Sequence, residues 1–433
     1  MSFLKIVGFD PAKHNVKTEI VAGITTFLTM AYILAVNPDI FGALEGMGMP
    51  KDAVFTATAF AAIVGTLVMS LYAKKPYALA PGLGLNAFFV YTVCLTMGYS
   101  WQFALTAVLI EGIIFIILTV TNVREAIINA IPKAMKSAVS AGIGLFIAFI
   151  GLVNAGIIVD DGGTIIALGD ITGGTALLAI IGLVITSVMM ILKVPGAMLI
   201  GIIVTAIIGI PFGITKFDGV VSGVPSIAPI FCKFEFHNIL TWDMIIVVFT
   251  FLFIDMFDTI GTVIGVSKRA NAMNPDGTIP GVKKVLMADA VATVWGAICG
   301  TSTTTTYVES ASGVAEGGRT GLTSFTVAIC FAIALFFAPV FLAIPSAATA
   351  PALILVGVMM MSSILDVDFN DFSECIPAYI TMIVMPLAYS ISDGIMLGMI
   401  SFVVLNALTG KFKKISVMMW ILAVLFILRY ILL

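Results

Sequence analysis

The sequence predicts an all-α polytopic membrane protein of about 14 transmembrane segments in two inverted repeats of seven, with two short strands in segments 3 and 10. Three observations carry that fold class. The 433 residues are 60% hydrophobic and only 10% charged, with a mean hydropathy of +1.16, against roughly 25% charged in a soluble domain. A weak self-match recurs at one fixed offset, laying ATAFAAIVGTLV over ADAVATVWGAIC. Two apolar stretches are broken by Pro, Gly or a threonine run where helix should continue.

About 20 mostly apolar residues cross the hydrocarbon core. Continuous stretches of this kind run from Glu19 to Ile40, Ala53 to Ala73, Trp101 to Thr121, Ala134 to Ala155, Thr175 to Leu192 and Val194 to Gly209. Others run from Ile245 to Val266, Val285 to Gly300, Thr323 to Ala343, Ala347 to Leu365, Ile376 to Ser392, Gly394 to Thr409 and Ser416 to Leu432. With the two interrupted stretches the count is about fifteen, the last lying beyond the second set of seven. The offset pairs Ala57 with Ala288, Ala59 with Ala290, Gly65 with Gly296, Ala80 with Ala311 and Gly82 with Gly313. In a chain rich in Ala and Gly such identities are weak, so the order of features decides. Each half reads long span, second span, interrupted patch, short Gly-rich helix, and each half ends as helix, tight turn, helix. Seven spans is an odd number, so the second half runs inverted, a pattern typical of transporters.

No cleavable signal peptide is expected, because residues 1–18 hold Lys5, Asp10, Lys13, His14 and Lys17 without an apolar run. The N-terminus is then cytoplasmic. Loops expected inside carry Lys74, Lys75, Arg124, Lys133, Lys136, Lys193, Lys268, Arg269, Lys283, Lys284, Lys411, Lys413 and Lys414, as the positive-inside rule requires. One expected cytoplasmic loop dissents, with Asp366, Asp368, Asp371 and Glu374. Nucleic acid is excluded as a partner, because no basic stripe exists. Cys94, Cys232, Cys299, Cys330 and Cys375 are scattered without CxxC or Cys/His spacing, so they read as small packing residues and no metal site is expected. His14 and His237 lie in the terminus and a loop.

The interrupted segments are the informative ones. In YALAPGLGLNAFF, Ala80 precedes Pro81 and is pushed extended, while Gly82 and Gly84 permit close backbone approach. Its counterpart runs from Thr303 to Gly318, where four threonines and Tyr307 favour a strand. Two short antiparallel strands, each leading into a half-helix, would satisfy backbone at membrane depth and aim two helix N-termini at one point. A back-bonded ordinary helix and a surface loop are the alternatives. Carboxylates follow the same logic: Asp255 and Asp258 in FLFIDMFDTIGTV, and Glu309 in TTTTYVESASG, sit where lipid is expected, and intramembrane acids are functional candidates. Three residues apart, Asp255 and Asp258 share a helical face extended by Thr259 and Thr262. A structural hydrogen-bonding pair is the alternative.

Four motifs in order, AYILAVNP, APGLGLNAFF, FLFIDMFDTIGT and TTTTYVESASG, make nearly the whole chain resemble the nucleobase:cation symporter-2 family, in its AzgA-like branch of adenine/guanine/hypoxanthine permeases. The resemblance implies a UraA-like fold divided into a core domain (segments 1–4 and 8–11) and a gate domain (segments 5–7 and 12–14). Residues 1–125 and 216–343 would form the core, and residues 126–215 and 344–433 the gate with the C-terminal apolar helix. It implies proton-coupled purine uptake by alternating access in the cytoplasmic (inner) membrane, a proton as coupling ion, no cofactor, and a homodimer through the gate. By motif, Asp258 and Glu309 fall on the family's substrate acids, Asn86 on its segment 3 asparagine and Asp255 on the second segment 8 acid. Uracil and xanthine members resemble this pattern but carry Glu at Asp258 and His at Thr262, so the chain departs from them.

A purine needs carboxylates to accept its N–H groups, amides to donate and apolar walls to stack on. Asp258, Glu309 and Asn86 can accept, and the half-helix amides of Gly82 to Gly84 and of Ser310 to Gly313 can donate. Phe27, Phe88, Phe257 and Tyr307 are candidate walls, although aromatics in membrane helices commonly just pack. Charge is costly in low dielectric, so Asp255 or Glu309 can carry a proton inward. Enzymes are the rival class: an intramembrane protease needs a GxGD acid, where PGLGLNA ends in Asn86, and a prenyltransferase needs Asp-rich Mg²⁺ motifs where DMFD stands alone. An anion transporter of the same fold would want basic residues instead of three acids.

Overall fold

A computed structural model describes residues 3–121, 132–217, 219–237, 239–270, 272 and 279–432. Segment 1 is α1 (Val16–Met30) and α2 (Ile33–Phe41), separated by a short turn at Ala31 and Tyr32. The Asn15 side chain caps α1 by accepting from the N–H groups of Lys17 and Thr18. α3 (Lys51–Val68) runs on through a π-helical turn, Met69–Ala73, to a left-handed Lys74. Strand β1 (Leu79–Pro81) opens segment 3 and feeds α4 (Leu83–Ala87), which continues as π-helix to Thr96. α5 (Trp101–Thr121) and α6 (Lys133–Asn154) follow, then a hairpin of β2 (Ile158–Asp161) and β3 (Ile165–Leu168). The first half closes with α7 (Gly174–Ile191) and α8 (Ala197–Gly209).

In the second half come α9 (Trp242–Arg269), α10 (Val282–Cys299), strand β4 (Thr304–Thr306), the half-helix α11 (Ser310–Ala315) and α12 (Gly321–Ala334). α13 (Ser346–Met361), α14 (Phe372–Leu387), α15 (Ile391–Leu408) and α16 (Val417–Leu432) complete the chain. Eight helices among the described residues are long and apolar enough to cross a membrane, and shorter apolar ones span Leu83–Thr96, Ala197–Gly209, Phe372–Leu387 and Val417–Leu428. Together with α9, α10 and α11, these fill fourteen places in chain order, with α16 after them.

Both expected strands form, and they pair antiparallel: Leu79 opposite Thr306, Ala80 opposite Thr305, Pro81 opposite Thr304. The ladder continues outward through Gly82 N–H to Thr303 O (3.0 Å) and Tyr307 N–H to Ala78 O (2.9 Å). The threonine run then ties this pair to surrounding helices. Thr301 accepts from Asn37 of α2 (3.1 Å), Ser302 donates to Asn86 of α4, Thr303 to Glu111 of α5 (2.6 Å), and Thr305 to Asp289 of α10 (3.4 Å). Helices α1, α3, α5, α9, α10 and α12 pack with one another here, and α3, α9 and α10 touch the strands. A second set, α6, α7, α8, α13, α14 and α15, is packed mutually. Helices α6 and α13 approach closely there: a Cβ on Gly144 would lie 2.8 Å from Gly357 O.

Four details differ from the sequence expectation. The repeat offset holds at both ends of α3 and α10, pairing Lys51 with Val282 and Val68 with Cys299. It fails at the strands, because the same offset would carry Leu79, the start of β1, onto Ser310, whereas β4 starts earlier, at Thr304. The π turn Met69–Ala73 lengthens the first half, whereas α10 stops at a left-handed Gly300; Ala80 and Gly82 are therefore not counterparts of Ala311 and Gly313. The β2–β3 hairpin has no precedent in the sequence reading. Segment 13 ends at Leu387, short of Ser392, because Tyr389 turns left-handed (φ 50°) and Ser390 caps α15 by accepting from Asp393 N–H (3.1 Å). The acidic loop is paired: Asp366 with Lys133 (2.6 Å), Asp371 with Lys411 and Lys414 (3.0 and 2.6 Å) and Glu374 with Lys414 (2.8 Å). Three of its four acids face lysines of neighbouring segments, and Asp368 accepts from Asn370. Arg124 and the 125/126 boundary lie outside the described residues.

Candidate functional site

Where the strand pair ends, a cavity of about 380 Å³ opens between the two packed sets, within the ~300–1,000 Å³ common for small-molecule sites. One side presents Tyr32, Gly82, Gly84, Asp258, Thr262 and Thr306 to Glu309; the other presents Val139, Ser140, Ile143, Val356, Met359 and Met360. Among the described residues no Lys, Arg or His lines it, and no group of three His, Cys, Asp or Glu could hold a metal ion. Glu309 is the N-cap residue of α11 and accepts from the Tyr32 hydroxyl at Oε1 (2.7 Å). Its neighbour Tyr307 donates to Pro81 O (2.6 Å), fixing that ring against the other half-helix.

The expected residues separate into two groups. Asp258, Glu309, Thr262, Gly82 and Gly84 line the cavity; Asn86, Ser310 and Asp255 are buried outside its lining. The Asn86 carboxamide oxygen accepts from Ser302, and Ser310 Oγ accepts from Ala78 N–H (3.0 Å), so both hold the strand pair in place. The amides of Ser310, Ala311 and Ser312 are already bonded to the carbonyls of Tyr307, Val308 and Glu309 (3.1, 2.9 and 2.9 Å), so the tight first turn of α11 uses the donors expected to face a ligand. On α9, Ile254, Asp258 and Thr262 line the cavity, whereas Asp255 accepts from Thr259 (3.1 Å) toward α10 and β4. A spacing of three falls short of a full helical turn, so the DxxD pair straddles an edge and does not form one stripe.

Of the proposed walls among the described residues, Phe27, Phe88 and Tyr307, only Tyr307 lines the cavity. Phe27 packs edge-on to Phe331 (5.1 Å) and Phe88 to Phe251 (4.8 Å); the Phe257 side chain lies outside the described set. Sequence reasoning misses three polar residues. Tyr32 stands in the quoted AYILAVNP motif, and Glu111 and Asp289 sit in apolar runs that the intramembrane-acid rule flags as readily as Glu309. Asp289 accepts from Thr306 N–H (3.0 Å), Thr306 Oγ1 (3.1 Å) and Thr259 (2.9 Å).

A family model described as a permease family matches residues 17–397. The chain belongs to this family, the nucleobase:cation symporter-2 permeases. A Methanocaldococcus jannaschii relative is 50% identical to the permease, covering 99% of it and 98% of the relative. The guanine/hypoxanthine permease PbuG of Bacillus subtilis is 44% identical over 98% of both chains. The adenine permease AdeQ of Escherichia coli is 41% identical over 96% of this chain and 94% of its own. Among solved structures, the transmembrane domain of the cyanobacterial bicarbonate transporter BicA resembles the permease with a TM-score of 0.65 at 16% identity, over 89% of this chain and 97% of that one. The inward-facing murine anion transporter Slc26a9 gives 0.66 at 13% identity, over 92% and 69%. These two likenesses show the fold. The permease is a multi-pass membrane transporter and not an enzyme.

Three polar ties between the permease's two packed sets, all among the described residues, lie away from the cavity mouth. The cavity reaches toward the Ser362 end of α13. At the opposite end of that helix, Asp39 of α2 accepts from Ser346 (2.7 Å) and Thr349 (2.6 Å), with Lys51 3.7 Å away. Tyr91 accepts from Asn154 of α6 (3.3 Å), and Thr92 donates to Tyr389 O (3.3 Å).

Proposed function

We propose that this permease imports purine nucleobases, adenine, guanine or hypoxanthine, together with protons across the cytoplasmic (inner) membrane, its N-terminus inside. The observation that carries this is a cavity with two carboxylates, Asp258 and Glu309, apolar walls and no lining cation among the described residues. Such a site accepts hydrogen bonds from a flat ring with several N–H donors and repels an anion. The relatives named guanine/hypoxanthine and adenine permease support the substrate class. In this reading Asp258 and Glu309 contact the base, Thr262 and the Gly82–Gly84 backbone complete the contact, and Asn86 and Ser310 hold the half-helices that present it. Glu309 and Asp255 serve proton coupling, Asp255 through Thr259 and the strand pair.

Alternating access would move the core (1–125, 216–343) against the gate (126–215, 344–433), with a homodimer formed through the gate. The test is uptake of labelled hypoxanthine into proteoliposomes with an inward proton gradient, competed by each purine, by uracil and by bicarbonate, with and without an uncoupler. Glu309→Gln and Asp258→Asn are expected to abolish uptake. Wild-type rates in either variant, or competition by bicarbonate alone, overturn the assignment.

A further inference from the structure

Two residues of segment 1, three apart, meet two residues of the half-helix, also three apart. Thr29 Oγ1 lies 2.9 Å from Ser312 Oγ, and Tyr32 Oη donates to Glu309 Oε1 at 2.7 Å. Between them α1 and α11 touch so closely that a Cβ on Gly313 would collide with the Ala22 carbonyl and Thr26. Registry between these two helices is thus already set without Tyr32. The Tyr32 hydroxyl does something else. It sits at the turn between α1 and α2, lines the cavity, and makes the one side-chain hydrogen bond to Glu309 among the described residues. The Glu309 carboxylate also receives its own backbone N–H; the terminal torsion of such a side chain is broad, and the tyrosine donor on Oε1 fixes its plane and leaves Oε2 for a ligand.

We propose that Tyr32 is a positioning residue for the substrate: it holds Glu309 Oε1 so that Oε2 is presented to a ring N–H of the base. This rests on the nucleobase reading of the cavity. Hydrogen bonds to charged groups are the strong ones, so an untethered Glu309 binds the base more weakly while the apolar walls stay intact.

The test uses the full-length purified permease, with equilibrium binding of labelled guanine and hypoxanthine and uptake kinetics in proteoliposomes. Tyr32→Phe keeps the ring and removes the donor; it is expected to weaken binding and raise KM about tenfold or more, with Vmax within about twofold and the melting temperature of the empty protein unchanged. Thr29→Val removes the neighbouring tie without touching Glu309, and is expected to leave KM within about twofold. Equal losses in both variants, or no loss in Tyr32→Phe, overturn the proposal and assign Tyr32 to packing. Glu309→Gln separates the two levels: wild-type binding there sinks the nucleobase reading itself, whereas lost binding with a neutral Tyr32→Phe sinks only the role of Tyr32.

Discussion

Asp289 shows how one side chain can shape a site it does not touch. Its Oδ1 holds both the N–H and the hydroxyl of Thr306, which lines the cavity, and its Oδ2 holds Thr259. In Asp289→Ala the Thr306 amide is left buried without an acceptor, a penalty of about 1–3 kcal/mol. A lowered melting temperature and lost uptake are expected together; normal melting with normal uptake would show that the strand holds its position unaided. Asp255, Asp258 and Glu309 were legible as a class, because a carboxylate in an apolar run stands out, although the same rule was not carried to Glu111 and Asp289. The division among those three was not legible. Asp255 and Asp258 lie less than a full helical turn apart, and only the neighbours of α9 decide which direction is cavity and which is network. Asn86 is similar: motif position marked it, but its oxygen is taken by Ser302.

Among the elements, the threonine run and PGLGL were legible as strand and half-helix because Pro and β-branched residues have few other choices. The slip between the repeats at β1 and β4 was not, since a π turn leaves no mark in an apolar run. Two helix contacts carry measurable consequences. α6 and α13 cross at Gly144 and Gly357, where a side chain on Gly144 would meet the Met360 Cβ and the Gly357 carbonyl, neither able to swing away; Gly144→Ala forces the helices apart and costs about 1–3 kcal/mol, read as a lower melting temperature with unchanged secondary structure. At the start of α14, Lys414, the Ser373 hydroxyl and Lys411 hold the Asp371 carboxyl below its ordinary value of 3.8. A depressed carboxylate stabilises the fold above its unfolded pKa, and that contribution is lost as pH falls through the folded one. Melting temperature should therefore decline below about pH 4, and less steeply in Asp371→Asn than in the parent.

For the whole molecule, the ties at Asp39, Tyr91 and Thr92 join the two packed sets at the end opposite the cavity mouth. In the alternating-access cycle proposed above, these bonds break before that end opens. Asp39→Ala removes two of them and raises the fraction of carriers open there, so the apparent affinity for external base increases in proportion. A several-fold lower KM with a reduced Vmax is expected in uptake assays, and an unchanged KM would mean that this contact does not gate.

A pocket holding two carboxylates and no lining cation among the described residues is also an electrical object. Carrying one unneutralised charge through a full membrane potential of about 100 mV involves about 2.3 kcal/mol. In the proposed cycle, an empty carrier that turns over with either carboxylate ionised feels the field, whereas one whose acids are protonated feels it far less. Current transients on a capacitive membrane should therefore appear for the empty protein, shrink in Glu309→Gln, and make the resting potential of the cell a determinant of how fast the site resets.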